Sequence, residues 1–299
     1  MTNIIQWLKE QDISQQADLR LDSRDIQTGD VFVACKGSSL DGTQFIQNAI
    51  ERGAAAILVE SQEAWPQASV PVLSVPNLRS QLGALADEWY GHPSASVAVI
   101  AITGTNGKTS CANWVASALN LNNVPCATIG TLGTILPNGE NLGGSLTTPD
   151  VLSLHRLLAQ LKQAKISAVT IEASSIGLVQ GRMDGVRIKI AGFTNLTLDH
   201  MDFHHDMQEY ERCKGLLFQW PGLEHAIINL DNEVGQRYYA QSTARNTLGY
   251  SMHNEPEALI LAKKYQFADY GLSFELSMPD GDAQVLTRLV GEHNIANLL

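Results

Sequence analysis

The sequence predicts an α/β protein: a small N-terminal α/β domain, then a P-loop-type, doubly wound parallel-sheet domain that carries a small antiparallel subsheet. Three observations predict it. Strand-like and helix-like segments alternate along most of the chain, the pattern of parallel strands joined by helical crossovers. One continuous apolar run, VAVIAIT (97–103), leads straight into a glycine loop and a helix. Gly91-His92-Pro93-Ser94 breaks the pattern and divides the chain into domains 1–92 and 93–299.

In the first domain, VFVAC (31–35) is a short apolar run before the turn-like KGSSLDG. Phe45, Ala49 and Ile50 follow at helical spacing. AAAILVE (54–60) and VPVLSV (70–75) read as buried strands. Residues 78–90 read as a helix with Leu82, Leu85, Ala86 and Trp89 on one face. In the second domain, VAVIAIT suits a central parallel strand covered on both faces. The helix after its glycine loop should turn Val115, Ala118 and Leu119 inward. PCATIG, AVTIEAS, IAGFTNL and AIINLD are the later strand candidates, and residues 258–290 read as strands without clear helices.

Composition narrows the function. The chain has 299 residues, enough for about two domains. Its 20 Lys and Arg against 31 Asp and Glu give a net charge of −11, which argues against nonspecific binding to nucleic acid or to an anionic membrane. An anionic ligand would have to be held by local groups. The N-terminus interrupts its apolar residues with Gln, Lys, Glu and Asp, so it does not read as a signal peptide. No apolar stretch approaches the ~20 residues of a membrane helix. Cys35, Cys111, Cys126 and Cys213 are scattered without a CxxC pair and read as reduced thiols of a cytoplasmic protein.

The sharpest local feature is Gly104-Thr105-Asn106-Gly107-Lys108-Thr109-Ser110, between a buried strand and a helix. Glycines let a loop fold tightly and turn its N–H groups inward, and the helix N-terminus adds partial positive charge. Lys108, projecting from a solvent-facing loop, can reach terminal phosphate oxygens, and Thr109 or Ser110 can ligate Mg²⁺. The spacing is a shortened variant of GxxxxGK[ST], since position 102 is Ile. The plain alternative is a strand-to-helix turn with a solvated lysine. A dinucleotide fold is disfavoured because GxGxxG is absent.

Other candidates stay open on their residues alone. Glu172 ends an apolar run at the sheet edge where α/β proteins bind ligands. It is either an Mg²⁺ carboxylate or a solvated strand-end residue. Asp199, His200, Asp202, His204, His205 and Asp206 are dense enough for a metal site, or form a polar loop ending in a helix cap. Asp206 and Glu209 do fit a capping box. The following helix should bury Met207, Tyr210, Leu217 and Phe218, and Lys214 falls on the same face. That lysine either snorkels to water or finds a partner beside a nucleotide. Thr147-Thr148-Pro149-Asp150 reads as a helix start with Thr148 as N-cap.

Together these segments resemble the Mur ligases, of the MurE or tripeptide-synthetase type. The matching stretches are LDSRDIQTGDVFVACKG and GAAAILVE, then TGTNGKTS, LTTPD, EASSIGLVQGR, FTNLTLDHMDFHHDMQEYERCKGLLF and GEHNIAN. GTNGK[ST] alone is shared with folylpolyglutamate synthase and the other Mur ligases. The DSR and GDVFVA segments speak against the former, and TTPD with DHMDFHHDM favours the MurE type. The resemblance implies ATP-driven activation of a carboxylate of UDP-MurNAc-L-Ala-D-Glu, then attack by the amine of a third amino acid, with meso-diaminopimelate the commoner case. ATP would lie on Gly104, Thr105, Asn106, Gly107, Lys108, Thr109 and Ser110, with Asn294 and Asn297 near adenine. Mg²⁺ would be held by Thr109, Glu172 and His200. Lys214 matches a lysine that CO₂ converts to a carbamate. Leu21, Ser23, Ser38, Ser39 and Leu40 match uridine-nucleotide contacts, which makes the first domain the UDP-precursor domain. Thr147, Thr148, Ser174, Gln180 and Arg182 match contacts to the muramoyl peptide.

Two departures accompany the match. Ile176 stands where the family usually has His. The chain also stops at Leu299, where family members continue into a C-terminal ligase domain. The expectation is therefore a fragment with an incomplete central domain, not competent for tripeptide synthesis alone. The expected partners are small molecules, not nucleic acid or membrane, and the expected state is monomeric. The alternatives are another Mur ligase, a folylpolyglutamate synthase-like ligase, or a precursor-binding fragment without turnover.

Overall fold

The structure is a computed structural model that describes residues 3–37, 40–63, 65, 68–198, 203–268 and 271–299. The chain forms two compact units. The first takes Met1–Pro93, Asp150–Gln163 and Gly181–Val186; the second takes Ser94–Pro149, Ala164–Gln180 and Arg187–Leu299.

In chain order the first unit supplies α1 (Ile4–Glu10), β1 (Leu19–Arg20), β2 (Val31–Ala34), α2 (Ile46–Glu51), β3 (Ala56–Glu60), β4 (Val72–Val75) and α3 (Leu82–Trp89). Its four strands pair in sequence order, all parallel. Every residue of β2 is buried, as a strand covered on both faces requires. The helix expected from residue 78 begins as a 3-10 turn, Leu78–Gln81, before α3.

The second unit supplies β5 (Ala98–Thr103), α4 (Lys108–Leu121), β6 (Cys126–Gly130) and β7 (Gly133–Ile135). The chain then gives α5 (Val151–Gln163) to the first unit. It continues through β8 (Ala168–Glu172), α6 (Ser175–Val179), β9 (Ile188–Phe193), α7 (Met207–Gly215), β10 (His225–Asn229), α8 (Glu233–Gln241), β11 (Asn246–Ser251), β12 (Ala258–Ala268), β13 (Gly271–Met278), β14 (Gly281–Thr287) and α9 (His293–Leu298). These strands make one sheet in the order β14-β13-β12-β11-β10-β9-β5-β8-β6-β7. β5, the predicted central strand, lies between β8 and β9, parallel to both. No described helix is long and apolar enough to cross a membrane.

The expected antiparallel subsheet, β12 to β14, is present, and it joins the main sheet through the parallel pairing of β12 with β11. Several local expectations are corrected. β7 and β11 had no strand signal strong enough to be read; β7 is three residues long and β11 mixes polar with apolar positions. In α4 the buried residues are Ala112 and Ala116, with Val115 and Leu119 half-buried, and Ala118 is exposed. Val115 and Leu119 thus lie on the inward side as expected, Ala118 does not, and Ala112 and Ala116 complete the inward stripe. α5 is capped by Asp150, not Thr148: the Asp150 carboxylate accepts N–H groups from Leu152 and Ser153, both at 3.1 Å. A carboxylate reaches both orphan donors at once, and the Thr148 hydroxyl is engaged elsewhere. The Asp206 cap does form, accepting the Glu209 N–H at 2.7 Å. Glu209 reaches back to the N–H of His205 rather than that of Asp206.

α5 buries Leu154, Leu158 and Leu161, and with them His155, which has no exposed surface. Its Nε2 sits 2.9 Å from Asp184 O and so carries the proton. Burial pushes the imidazole below its ordinary value of 6.5, outweighing the opposing pull of Asp87. The unfolded chain therefore takes up a proton near pH 6.5 that the folded chain refuses. Stability is present above that pH and falls below it, by at most about 1.4 kcal/mol per pH unit from this group. Urea unfolding at pH 7.5 and 5.5 should show the loss, and His155→Gln should flatten it.

Candidate functional site

The glycine loop occupies the C-terminal edge of β5. Gly104 has φ +149°, and a Cβ there would run into Thr194 Oγ1. Only glycine fits. The segment after β9 holds the loop. Thr105 N–H donates to Asn195 O at 2.8 Å, and Asn106 N–H donates to Asn195 Oδ1 at 3.0 Å. Thr194 Oγ1 donates to Asn106 O at 2.6 Å. Asn229 Nδ2 in turn donates to Thr194 O at 2.7 Å. Thr194 and Asn195 were missed as site residues by sequence reasoning. The available signal was polar residues at the end of a parallel strand beside β5, the same signal that marks Glu172.

Two lysines converge on the loop. Lys108 is the first residue of α4 rather than part of a solvent-facing loop, and its Nζ folds back to Gly104 O and Thr105 O, both at 2.8 Å. Lys214 is 1% exposed; its Nζ donates to Gly104 O at 2.9 Å and lies 4.5 Å from the centroid of the Tyr210 ring. A cation so placed interacts with the ring face. Tyr210 OH is 3.3 Å from Thr105 Oγ1, which ties α7 to the loop again. α4 begins without a side-chain cap and without an acidic residue in its first turn. Its leading N–H groups suit an anion.

Glu172, at the end of β8, is 2% exposed. Its Oε1 accepts Thr131 N–H at 2.9 Å; its Oε2 accepts Thr109 Oγ1 at 2.9 Å and Thr131 Oγ1 at 3.2 Å. The solvated strand-end reading does not hold. Gly130 makes room for the carboxylate, since a Cβ at that position would collide with Glu172 Oε1. Thr148 Oγ1 donates to Glu172 O at 2.7 Å, lies 2.9 Å from Ser174 Oγ, and accepts Ser174 N–H at 3.0 Å. Thr147 Oγ1 is 3.2 Å from Thr131 Oγ1. The structure thus gathers Thr109, Thr147, Thr148 and Ser174 about Glu172, together with Thr131, which sequence reasoning had not singled out.

Asn297 also reaches the loop, since a Cβ at Gly107 would run into its side-chain amide. Gln180 is exposed at the end of α6. Arg182 belongs to the first unit, where burial lowers its guanidinium from its ordinary value against the pull of Asp150. Asn297 O accepts from Cys111 Sγ at 3.5 Å, which sets α9 beside α4, while the half-buried Asn294 donates through its side-chain amide to Val290 O. Ile176 is half-buried in α6. Ser38, Ser39 and His200 lie outside the described residues.

Glu172 and the Thr109 hydroxyl are hard oxygen donors, the type Mg²⁺ takes. Among the described residues, His204, Glu209 and Cys213 also bring ligand atoms within 4.8 Å of one another. Their atoms have structural roles: His204 Nε2 lies 2.8 Å from Ser175 Oγ, Glu209 accepts His205 N–H, and Cys213 is fully buried.

The first unit has its own cavity of about 700 Å³, lined in part by Leu21, Ser23, Cys35, Gly37, Leu40 and Arg79. That is the size of a small-molecule pocket. Ser23 is buried at the start of a 3-10 turn capped by Asp22, whereas Leu40 is 63% exposed. Burial pushes the Cys35 thiol up to about 12, so it is an uncharged wall at neutral pH.

A family model described as the Mur ligase middle domain matches residues 102–299, and one described as Mur ligase family, catalytic domain matches residues 18–90. Two relatives and one solved structure share the name UDP-N-acetylmuramoyl-L-alanyl-D-glutamate--2,6-diaminopimelate ligase. The relative from Janthinobacterium sp. (strain Marseille) is 42% identical over 100% of this chain and 61% of its own length. The one from Pseudomonas aeruginosa is 40% identical over 94% of this chain and 58% of its own. The solved structure superposes with a TM-score of 0.78 at 29% identity, covering 94% of this chain and 57% of that one. The chain thus spans about three fifths of the curated relatives it matches.

Gly130→Ala tests the carboxylate cradle. The added methyl should displace Glu172 from its donors and weaken Mg²⁺-supported nucleotide binding about tenfold or more, a change of about 1.4 kcal/mol. Calorimetry reads the affinity, and circular dichroism should be unchanged. Wild-type affinity in the variant would remove Glu172 from the site.

Proposed function

The chain belongs to the Mur ligase family, and from that premise we propose that it serves the ATP-dependent ligation of a third amino acid to UDP-MurNAc-L-Ala-D-Glu in peptidoglycan precursor synthesis. The third amino acid in this reading is diaminopimelate, which the names of both relatives carry. One observation carries the proposal: the glycine loop, the buried Glu172 and the buried Lys214 meet at the ends of neighbouring strands, with Thr109 2.9 Å from Glu172 and Lys214 2.9 Å from Gly104 O.

The chemistry is phosphoryl transfer followed by amide formation. The γ-phosphoryl of ATP passes to the terminal carboxylate of the precursor, giving an acyl phosphate and ADP. The amine then attacks the acyl carbon, phosphate leaves with its electron pair, and the amine sheds its proton. The chain's part is to position and neutralise. The loop N–H groups and the uncapped start of α4 cradle the phosphates. Lys108 exchanges its two loop carbonyls for phosphate oxygens. Thr109 and Glu172, with His200, would hold Mg²⁺, which supplies charge neutralisation during transfer. Lys214 takes up CO₂ through its neutral amine, releasing a proton and leaving a carbamate whose negative charge supports the metal site.

Substrate roles follow the same reading. Asn294 and Asn297 approach the adenine. Leu21, Ser23 and Leu40, which line the first unit's cavity, hold the uridine nucleotide together with Ser38 and Ser39. Thr147, Thr148, Ser174, Gln180 and Arg182 hold the muramoyl peptide. The protein works in the cytoplasm as a monomer, in keeping with its four free cysteines.

Two measurements test this. Lys108→Ala should weaken ATP binding about 10- to 100-fold, as expected for losing a charge-assisted hydrogen bond of about 1.5–3 kcal/mol, with the fold unchanged; unaltered affinity would sink the phosphate-loop role. With ¹³C-bicarbonate near neutral pH, a carbamate signal should appear in the unaltered chain and vanish in Lys214→Ala. A spectrum without it would leave Lys214 as a structural cation.

A further inference from the structure

The wall of the first unit's cavity is held from behind. After β2 the backbone leaves the sheet at Lys36. Gly37 N–H donates to Leu40 O at 2.7 Å, and Lys36 and Asp41 bridge as an antiparallel pair. Gly37 and Leu40 both line the cavity. Gly37 and Leu40 lie outside the strands of the four-stranded sheet, so its ladder does not fix their positions.

Three bonds do. Lys36 N–H donates to Glu60 Oε2 at 3.3 Å. Arg79 N–H donates to Glu60 Oε1 at 3.1 Å. Arg79 Nε donates to Lys36 O at 3.0 Å. Glu60 ends β3, and Arg79 lies in the 3-10 turn after β4. The bonds close a ring through Lys36, Glu60 and Arg79, one residue from each of three successive strand-end segments. Each Glu60 oxygen takes a backbone N–H, and the guanidinium goes to a carbonyl instead of to the carboxylate. A terminal guanidinium nitrogen of Arg79 also lies 3.9 Å from the Cβ position of Gly37. This pair is arranged to hold backbone rather than to neutralise charge.

We propose that Glu60 and Arg79 are positioning residues for the uridine nucleotide: together they lock Lys36 and so hold Gly37 and Leu40 in place as a preformed part of the cavity wall. The proposal rests on the assignment of this cavity to the UDP-linked precursor. A preformed wall spares the ligand the entropy of ordering it, so loosening the ring at Glu60, which is not among the lining residues, weakens binding without removing a wall side chain, whereas Arg79 lines the cavity as well as closing the ring. Gln at position 60 has one acceptor oxygen and turns an N–H₂ toward the second backbone N–H, which opens the ring at one corner.

The test is calorimetric titration of the 299-residue chain with UDP, alongside ATP titration and thermal unfolding of the same samples. Glu60→Gln and Arg79→Ala should each raise the UDP Kd about tenfold. ATP affinity and the thermal midpoint should hold. Arg79→Lys, which restores a donor for Lys36 O, should recover much of the loss. Because both residues act through Lys36, the double variant should bind UDP about as weakly as either single one. Losses that multiply would show two independent contacts and overturn the shared ring. UDP binding by the unaltered chain that Glu60→Gln leaves untouched would overturn the positioning role alone. An unaltered chain that fails to bind UDP would overturn the cavity assignment and this proposal with it.

Discussion

The carbonyl of Gly104 receives two lysines, Lys108 at 2.8 Å and Lys214 at 2.9 Å, and the second unit's site is arranged around that fact. The carbonyl points where it does because the residue sits at φ +149° with no room for a side chain against Thr194. Lys108 comes from the helix that follows the loop. Lys214 comes from α7, 110 positions along the chain, and is buried there. A single backbone oxygen thus ties the start of α4 to the end of α7. The Thr105–Tyr210 contact makes the same connection a second time. Substituting Gly104 would disturb β9's end, the loop and both lysines together.

Glu172 shows how a buried carboxylate is made affordable without a cation. Burying a charge is costly unless it is paired or hydrogen-bonded. Here one backbone N–H and two threonine hydroxyls meet its oxygens. Thr109 belongs to the helix after the phosphate loop, and Thr131 follows β6 directly. The carboxylate therefore stitches β8 to both neighbours. A divalent cation arriving at Glu172 and Thr109 would find its ligands already aligned, because the donors that stabilise the carboxylate also fix its rotamer.

What was legible in the sequence was whatever depends on short-range pattern. VAVIAIT announced β5, GTNGKTS the turn into α4, and Asp206 the start of α7, because each is written in a few adjacent residues. β7 and β11 were not legible, since three residues carry no period and a polar-apolar mixture at a sheet position depends on its neighbours. Ala118 was wrongly set on the inward face of α4, and the cap of α5 was given to Thr148 because its hydroxyl's bond to Glu172 lies 24 residues away. Of the candidate site, Lys108, Thr109, Glu172 and Lys214 were named from motif, periodicity and resemblance. Thr131, Thr194 and Asn195 were not, since their roles lie in bonds across strands: Thr131 meets Glu172, and Thr194 and Asn195 meet Asn106.

The chain's net charge of −11 makes it an unpromising host for a polyanion. Long-range attraction cannot bring a nucleoside triphosphate to such a surface, and repulsion would lower the encounter rate. The local arrangement answers this. Both lysines sit on the loop, the first turn of α4 carries no acid, and no side chain caps its N–H groups. Glu172, a carboxylate near the loop, is covered by three donors. The field at the loop is thereby decoupled from the field of the whole molecule: short-range donors dominate where the dielectric is low, and the distant acidic surface is screened by salt beyond about 10 Å. Affinity built this way should depend weakly on ionic strength compared with binding that relies on a broad basic patch.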